Sequence, residues 1–391
     1  MNPLALSHGV CQGNRDTGSQ DEINPAHSGN GIIGEHKHHM SRYAAEQTYD
    51  RMAVIRMMGA AVLAVRFIIG WIYWGGGTRR FIYAPQKLNP LAHSWMANKL
   101  QGGMPGAVLG VGHAVSAILH HPDLVYWLLV LVSAVELVCG FGLIVGALTR
   151  LNAMVSIALS VSLMLLFGWQ GATCIDEWTM ASATFAMGCT VLTTGAGLWS
   201  VDSWLMKRSP GLADAGWFRW LGSAPLTSRE MEGWGKGLGI IAVVFALVFY
   251  NYYRGSIFTP FHGGPVSAGK HHFSLSNATL SPDGQLKVFA YLDGGTPAVP
   301  AHIVAVTING PSETVEAWSG EALEQAAKDH IQNVYAYNKF GPGLFGIKAR
   351  MGAKAWITLQ PTQPVHLNPG QYTIIFQNIN GKAFKTQAIL P

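Results

Sequence analysis

The chain has 391 residues, of which 49% are apolar and only 12% are charged. Because soluble domains carry about 25% charged residues, this composition indicates a protein that faces lipid rather than water. The formal net charge of +5 comes from cations scattered beside apolar runs, a pattern that speaks against a nucleic-acid-binding surface.

Residues 1–52 are polar and rich in glycine and histidine, which is typical of a disordered tail. Its clustered Glu35, His36, His38 and His39 offer metal ligands, but nothing nearby is expected to order them. The start of the tail lacks the apolar core of a signal peptide, so we expect the first membrane helix to direct insertion.

Five apolar runs predict membrane-spanning helices. The first, Met57–Trp74, contains one charge, Arg66, and at about 1.5 Å per residue it nearly crosses a hydrocarbon core of roughly 30 Å. It ends in Trp71, Tyr73 and Trp74, which resemble the aromatic belt of a membrane surface. The other predicted spans are Leu124–Leu148, Leu151–Gly168, Trp178–Trp199 and Gly237–Tyr253.

Two connectors lie between these spans. Residues 75–123 form a long one, and its apolar stretch Ala107–Leu119 predicts an interfacial or re-entrant helix because it is too short to cross. The cations of this connector are Arg79, Arg80, Lys87 and Lys99. Residues 201–236 form a second, polar connector before the fifth span.

The composition changes near residue 262, and residues 262–391 predict a β domain. Short alternating runs are bounded by turn signals such as Asp293-Gly294 and Asn380-Gly381. One helix is predicted over Gly320–Tyr335, with Ser319 as its N-cap. An antiparallel β-sandwich fits this pattern best.

The distribution of lysine and arginine predicts the topology. Cations concentrate in the segments on one side of the five spans, which by the positive-inside rule places the N-terminus in the cytoplasm. The β domain is then expected in the periplasm, on the same outer side as Arg79 and Arg80. The expected location is the cytoplasmic (inner) membrane.

Two charges, Arg66 and Glu136, lie inside predicted spans, where a charge costs about 2.5–3.5 kcal/mol on insertion scales. One interpretation is a structural pair that ties two helices together, and the other is a pair that handles anions or protons. The residue pattern leaves both open.

The turn between the third and fourth spans contains a thiol, two carboxylates, an amide and two indoles within the segment Gly168–Trp178. Cys174 could act as a thiolate if a cation or the nearby helix N-terminus stabilised it, although Asp176 and Glu177 oppose its ionisation. Cys139 and Cys189 lie within spans and are interpreted as packing residues.

The run Glu136–Arg150 contains Gly140, Gly142 and Gly146, which predict a small-residue face for helix packing. The four cysteines form no CxxC, haem or zinc pattern. We find no P-loop and no GxGxxG, so the sequence indicates no metal, haem or flavin.

Three stretches resemble one known system. The run Glu136–Arg150 resembles the second-helix signature of the DoxX/DoxD membrane family, and the turn Trp169–Trp178 resembles the DoxD branch. The segment Tyr337–Gly343 resembles DoxA. DoxD and DoxA are the subunits of thiosulfate:quinone oxidoreductase, so the resemblance implies a fusion over residues 53–391. It also implies a DoxX-like four-helix membrane domain at 53–200, with 237–253 as a linking span.

The resemblance implies that two thiosulfates are oxidised to tetrathionate while a membrane quinone becomes quinol. Thiosulfate is a dianion, so Arg79 and Arg80, with Trp169 and Gln170, are its candidate ligands. Quinone arrives through lipid and needs an aromatic cleft. Its candidates are Trp71, Tyr73, Trp74, Trp95, His113 and Trp127.

The mechanism we expect uses Cys174 as a sulfur carrier that forms a Cys–S–S–sulfonate adduct. Arg66 or the outer arginines would hold the sulfonate. Glu136, Asp176 or His113 would pass protons to the reduced quinone.

Two other classes stay open at this point. The chain could be a non-enzymatic membrane scaffold whose β domain binds a partner. It could also be an anion transporter with Arg66 and Glu136 in the pathway, although the lack of an inverted repeat speaks against this. Thiosulfate, quinone and the lipid bilayer are the expected partners, and a homo-oligomer or a respiratory-chain partner is compatible with the sequence.

Overall fold

The computed structural model describes residues 57–168, 177–245, 247, 271–295, 299–311 and 313–391. The described residues form a helical region followed by an antiparallel β domain. The tail 1–52, with its histidine cluster, lies outside them, and so does most of the turn Gly168–Trp178.

The first helix, α1, spans Met57–Tyr83 and is longer than the predicted span, which ended at Trp74. Its last five residues, Arg79–Tyr83, are π-helical. The other helices are α2 (Met96–Gly103), α3 (Val111–Leu119), α4 (Pro122–Val145), α5 (Thr149–Leu166), α6 (Glu177–Thr194), α7 (Val201–Arg208), α8 (Gly211–Asp214), α9 (Gly216–Leu221), α10 (Ser228–Val244) and α11 (Gly320–Lys328).

Within the described residues, three helices are long and apolar enough to cross a membrane, namely α1, α4 and α5. They correspond to the first three predicted spans. Helix α6 occupies the position of the fourth predicted span. Helix α10 runs antiparallel to α6, since it starts near α9 and the ring of Phe245 at its end stacks on Trp178 at the start of α6, with centroids 5.5 Å apart. The fourth and fifth crossings stay predictions.

Glycines bring α1 and α4 into close contact. A Cβ built on Gly140 would lie 2.2 Å from the backbone nitrogen of Trp74, and one on Gly77 would lie 2.7 Å from Cβ of Leu137. A Cβ built on Gly142 would lie 2.2 Å from Nδ2 of Asn152 in α5. The small-residue packing face predicted from this run is therefore confirmed.

A buried carboxylate organises the end of the bundle where α7 lies, which we call the α7 end. Asp202 is fully buried and accepts hydrogen bonds from the backbone nitrogens of Leu148 (2.8 Å) and Thr149 (3.0 Å), which begin α5. It also accepts from the hydroxyls of Thr149 and Ser223. An acid at this position complements the positive N-terminus of α5.

The β domain consists of two antiparallel sheets. The first has the strand order β1 (His272–Leu280), β2 (Leu286–Gly294), β8 (Lys354–Leu359), β5 (Ile331–Asn333). The second has the order β10 (Ala383–Leu390), β9 (Gly370–Asn378), β3 (Ala301–Asn309), β7 (Gly346–Ala349), β6 (Phe340–Gly343), and β4 (Thr314–Ser319) pairs with β3. Both sheets contribute to one apolar core, which includes Phe273, Trp318 and Phe376. The predicted β-sandwich-like domain is confirmed.

The helix predicted over Gly320–Tyr335 is shorter than expected. It ends at Lys328 because the chain then forms β5, whose Ile331 pairs with Ile357 of β8. Ser319 stands at the N-cap position, but its side chain makes no capping hydrogen bond. In the first connector, Val111–Leu119 is helical as predicted, while α2 was not predicted.

Candidate functional site

Arg80 and Glu136 form an ion pair across the contact between α1 and α4. The Nη1 atom of Arg80 lies 2.5 Å from Oε2 of Glu136, and it also reaches the hydroxyl of Ser133 at 3.4 Å. Their side chains are only 16% and 12% exposed, so the pair is mostly shielded from solvent. A shielded carboxylate beside a helix surface is suited to exchanging protons with a ligand from the lipid.

Arg66 lies far from Glu136, so the predicted Arg66–Glu136 pair is wrong. Arg66 is adjacent to Gly146, where a Cβ would lie within 1.7 Å of its Nη1 atom, whereas Glu136 is adjacent to Gly76. Ten residues of helix separate these levels, which is about 15 Å. Arg66 instead donates to the carbonyl of Trp199 at 2.9 Å, at the α7 end.

The predicted quinone ligands are distributed over several environments. Trp71 and Trp127 are 61% and 66% exposed on the helix surface, and His113 on α3 is also exposed. Tyr73 is buried, and its hydroxyl bonds to the carbonyl of Ser156 and the hydroxyl of Ser160, both at 2.9 Å. The structure does not bring these four residues together.

Trp74 is the predicted quinone ligand that lies closest to the ion pair. Its ring packs on that of Phe141 with a centroid separation of 5.5 Å. Trp74 and Phe141 belong to the same α1–α4 contact as Arg80 and Glu136. An aromatic pair and a shielded acid therefore share one contact between two membrane helices.

The predicted outer cations come together near the β domain. Burial lowers the pKa of Lys87 first, and the positive charges of Arg79, Arg80 and Lys99 lower it further. Lys99 also pairs with Glu177 at 2.5 Å, at the start of α6. These cations therefore lie close to one another and near the start of α6.

Four predicted site residues of that turn, Trp169, Gln170, Cys174 and Asp176, lie outside the described residues. Their proposed roles stay predictions. Cys139 is buried and its thiol donates to the carbonyl of Asn152 at 3.1 Å, in agreement with a packing role.

The β domain docks on the first connector through a pair of buried amides. Gln101 of α2 donates to the carbonyls of Asn338 (3.0 Å) and Gly352 (2.9 Å), and its Oε1 atom accepts from the backbone nitrogen of Asn338 (2.8 Å). The amide of Asn338 donates to the carbonyls of Asn98 and Met351, both at 2.8 Å. Together, the two side chains form hydrogen bonds with backbone groups of the connector and of the β domain.

Glycine allows the backbones to approach closely at this junction. Gly352 has a φ of +80°, and a Cβ there would lie 2.1 Å from the carbonyl oxygen of Gln101. Beside it, an apolar cluster contains Trp95, Met104 and Leu119 of the connector together with Tyr335 and Tyr337 of the β domain. The hydroxyls of Tyr335 and Ser116 lie 2.6 Å apart.

A cleft of about 720 Å³ opens at the edge of this junction. Its walls include His93 and Trp95 from the connector and Tyr337, Lys339 and Arg350 from the β domain. Its volume is within the roughly 300–1,000 Å³ that is usual for small-molecule sites.

In the sequence, the segment Tyr337–Gly343 was noticed only through its resemblance to DoxA. Arg350 and His93 were not predicted as site residues. The guanidinium of Arg350 contacts the imidazole of His93, from the opposite side of the junction. The available signal was the excess of lysine and arginine around that segment. Because 257 residues separate His93 from Arg350, no local pattern indicated their proximity.

A helical region with three helices long and apolar enough to cross a membrane, and a β-sandwich docked on its first connector, define a membrane protein with a separate β domain. Residues 62–227 match the family described as TQO small subunit DoxD, and residues 267–387 match TQO small subunit DoxA. TQO is thiosulfate:quinone oxidoreductase. The chain therefore belongs to these two families, as a fused DoxD–DoxA protein.

Among solved structures, the chain has a likeness to the Pseudomonas fluorescens alkylpurine DNA glycosylase AlkC bound to DNA containing an abasic site analog. The identity is 15%, over 71% of this chain and 77% of that chain. With a TM-score of 0.13, this likeness carries no argument about fold or function.

Proposed function

We propose that the chain oxidises thiosulfate to tetrathionate and transfers the two electrons to a membrane quinone. Two thiosulfates lose two electrons as a sulfur–sulfur bond forms, and the quinone takes up those electrons with two protons to become quinol. The observation that carries this proposal is the docking of a DoxD and a DoxA region, both TQO subunit families, through the buried Gln101–Asn338 contact.

The α1–α4 contact is the proposed quinone site. Quinone would enter from the lipid and place its ring against Trp74 and Phe141, which are already packed on each other. The Glu136 carboxylate would take up protons from water and pass them to the reduced quinone, and Arg80 would stabilise the carboxylate that is restored after each transfer.

Cys174 is the proposed sulfur carrier. Its thiolate would bond to the sulfane sulfur of one thiosulfate as two electrons pass to quinone, which gives a Cys–S–S–sulfonate adduct. The sulfane sulfur of a second thiosulfate would then attack that sulfur, forming tetrathionate and releasing the thiolate. Asp176 is the proposed proton carrier near this residue.

The proposed setting is the cytoplasmic membrane, with the N-terminus in the cytoplasm and the β domain in the periplasm. The positive-inside distribution of cations supports this orientation. The docking of the β domain on the connector that holds Lys87 and Lys99 agrees with it, because both are then on the thiosulfate side.

The test is thiosulfate-dependent reduction of decyl-ubiquinone by the purified, detergent-solubilised chain, with tetrathionate assayed in parallel. We expect quinol and tetrathionate to appear one for one. Cys174→Ser should abolish turnover, whereas the control Cys189→Ser should retain it, because Cys189 lies within the helix bundle. A folded, monodisperse wild-type sample that reduces no quinone would refute the proposal.

A further inference from the structure

The cleft between the connector and the β domain has the charge of an anion site. Lys339, Lys348, Arg350 and His93 line it, and among the described residues of its wall none is acidic. In the described part of the chain, no carboxylate pairs with Lys339, Lys348 or Arg350. The positive charges of Lys339, Lys348 and Arg350, which form no ion pair there, raise the local concentration of anions.

Two buried donors in the same wall lack a partner. The indole nitrogen of Trp95 and the hydroxyl of Tyr337 have no hydrogen bond within the described structure, although these residues are only 6% and 7% exposed. Their rings pack on each other with centroids 5.0 Å apart. An unpartnered buried donor is costly and uncommon, so an adjacent pair of them indicates a ligand that accepts hydrogen bonds.

Tyr337 is able to serve as a donor over a wide pH range. Burial, and then the negative charge of Asp123, raise the pKa of its hydroxyl above the ordinary tyrosine value. The indole N–H of Trp95 is a donor only. The Trp95 N–H therefore suits a ligand that accepts hydrogen bonds, and the protonated Tyr337 hydroxyl is able to donate beside it.

The docking contact determines the position of this cleft. Asn338 follows Tyr337 directly, and its backbone and side chain bond to Gln101 and Asn98 of the connector. Trp95 and His93 come from the connector, while Tyr337 and Arg350 come from the β domain. Neither region alone contains the whole set of donors.

We propose that this cleft binds thiosulfate, as a divalent sulfur oxyanion held jointly by the DoxD and DoxA regions. The cations would pair with the sulfonate oxygens, and the Trp95 and Tyr337 donors would hydrogen-bond to the anion. This inference rests on the proposed function for the identity of the anion. The cations of the cleft take the role of thiosulfate ligand that the sequence assigned to Arg80, because Arg80 is paired with Glu136.

The sharpest variant is Tyr337→Phe. It removes only a hydroxyl that has no partner, so folding should be unaffected, whereas affinity for the anion should fall. We expect the dissociation constant of labelled thiosulfate, measured by equilibrium dialysis of the full detergent-solubilised chain, to rise about fivefold. Lys339→Gln combined with Arg350→Gln should raise it about a hundredfold or more.

Lys385→Gln is the matched control, because Lys385 is exposed on β10, away from the cleft. It removes the same charge as Lys339→Gln and should leave the dissociation constant unchanged. Sulfate should displace labelled thiosulfate, while sodium chloride at equal ionic strength should displace much less. Equal displacement by sodium chloride would mean charge screening alone and would overturn the site.

Binding and turnover separate this inference from the proposed function. If the wild type reduces quinone and the cleft variants keep its thiosulfate KM and dissociation constant, the cleft is not the site, and the function stands. If the wild type binds thiosulfate through the cleft but reduces no quinone, the site stands, and the function fails. In an active enzyme, Tyr337→Phe should raise KM and change kcat little, since Tyr337 lies far from the proposed electron acceptor.

Discussion

The ion pair of Arg80 and Glu136 shows how a mostly buried carboxylate is stabilised in this protein. Glu136 belongs to a helix that is long and apolar enough to cross a membrane, yet its partner comes from the last, π-helical turn of α1. A guanidinium at 2.5 Å offsets the cost of burying the carboxylate, and the pair lies on a helix contact that lipid can reach. Glu136 is thus stabilised at this contact while 12% of its side-chain surface stays exposed.

Glu136→Gln should lower the kcat of quinone reduction by about a hundredfold or more, because glutamine accepts the Arg80 hydrogen bond but carries no transferable proton. The thiosulfate dissociation constant should change little. Steady-state kinetics with decyl-ubiquinone would measure the effect. Glu232→Gln, on an exposed glutamate of α10 that pairs with Lys236, is the control and should be fully active. Unchanged kcat in Glu136→Gln would remove Glu136 from proton transfer.

Protonated Lys87 lowers the stability of the folded state by an amount that depends on pH. Its lowered pKa means that the folded state disfavours the protonated lysine, through burial and the charges of Arg79, Arg80 and Lys99. This cost is present in full below the folded-state pKa and disappears as pH rises to the ordinary lysine value. Lys87→Gln should therefore raise the thermal unfolding midpoint at pH 7, and the gain should shrink as pH rises through that window. Lys385→Gln should show no such dependence, and an identical response of both variants would contradict the argument.

At the scale of elements, the contact between α1 and α4 depends on glycines. Gly140→Ala should reduce the free energy of unfolding by about 1–3 kcal/mol, because the added methyl group would overlap the backbone of Trp74. Gly233→Ala on α10 is the matched control, since nothing lies within 4 Å of a Cβ there. It should be neutral or stabilising by up to about 1 kcal/mol, owing to better helix propensity. Thermal unfolding of both purified variants would check this, and equal destabilisation would refute the packing role of Gly140.

The end of α1 shows where prediction from the sequence stopped. The first span was predicted to end at Trp74, in its aromatic belt, just before the run Gly75-Gly76-Gly77. In the structure Gly77 packs on Leu137, and α1 continues to Tyr83, which carries Arg80 to Glu136. Tertiary packing offsets a poor local propensity, and only the fold reveals the pairing.

Hydropathy and alternation were sufficient for the broad architecture. The apolar runs predicted the positions of α1, α4 and α5, and the alternating runs of residues 262–391 predicted strands of the β domain, of which β3 is one. The junction was beyond this reasoning, because its contacts join residues 237 positions apart in the chain, as Gln101 and Asn338 are. The hydropathy of an amide side chain does not indicate which residue it will contact in the fold.

At the scale of the whole molecule, the junction is expected to couple two otherwise separate folding units. Each region has its own apolar core, and the shared cluster contains Trp95 and Tyr337 beside the Gln101–Asn338 amides. Loss of either amide leaves buried carbonyls or N–H groups of the other region without partners. Such losses cost about 1–3 kcal/mol per group.

Gln101→Ala should therefore loosen the β domain without unfolding either region. We expect faster proteolysis between the two regions, an increase of tenfold or more in the thiosulfate dissociation constant, and unchanged protease resistance within the β domain. Asn338→Ala should do the same through different bonds, because its side-chain amide donates to Asn98 and Met351, whereas Gln101 bonds to the backbone of Asn338 and to Gly352. The double variant should cost less than the sum of the two, because both side chains hold the same segment at residue 338 and loosening it by one substitution weakens the bonds of the other. Gln371→Ala, which breaks an exposed bond to Gln387 within the β domain, is the control. Unchanged proteolysis and thiosulfate binding in both junction variants would show that the amides do not hold the β domain, and the docking that positions the cleft would then come from the aromatic cluster.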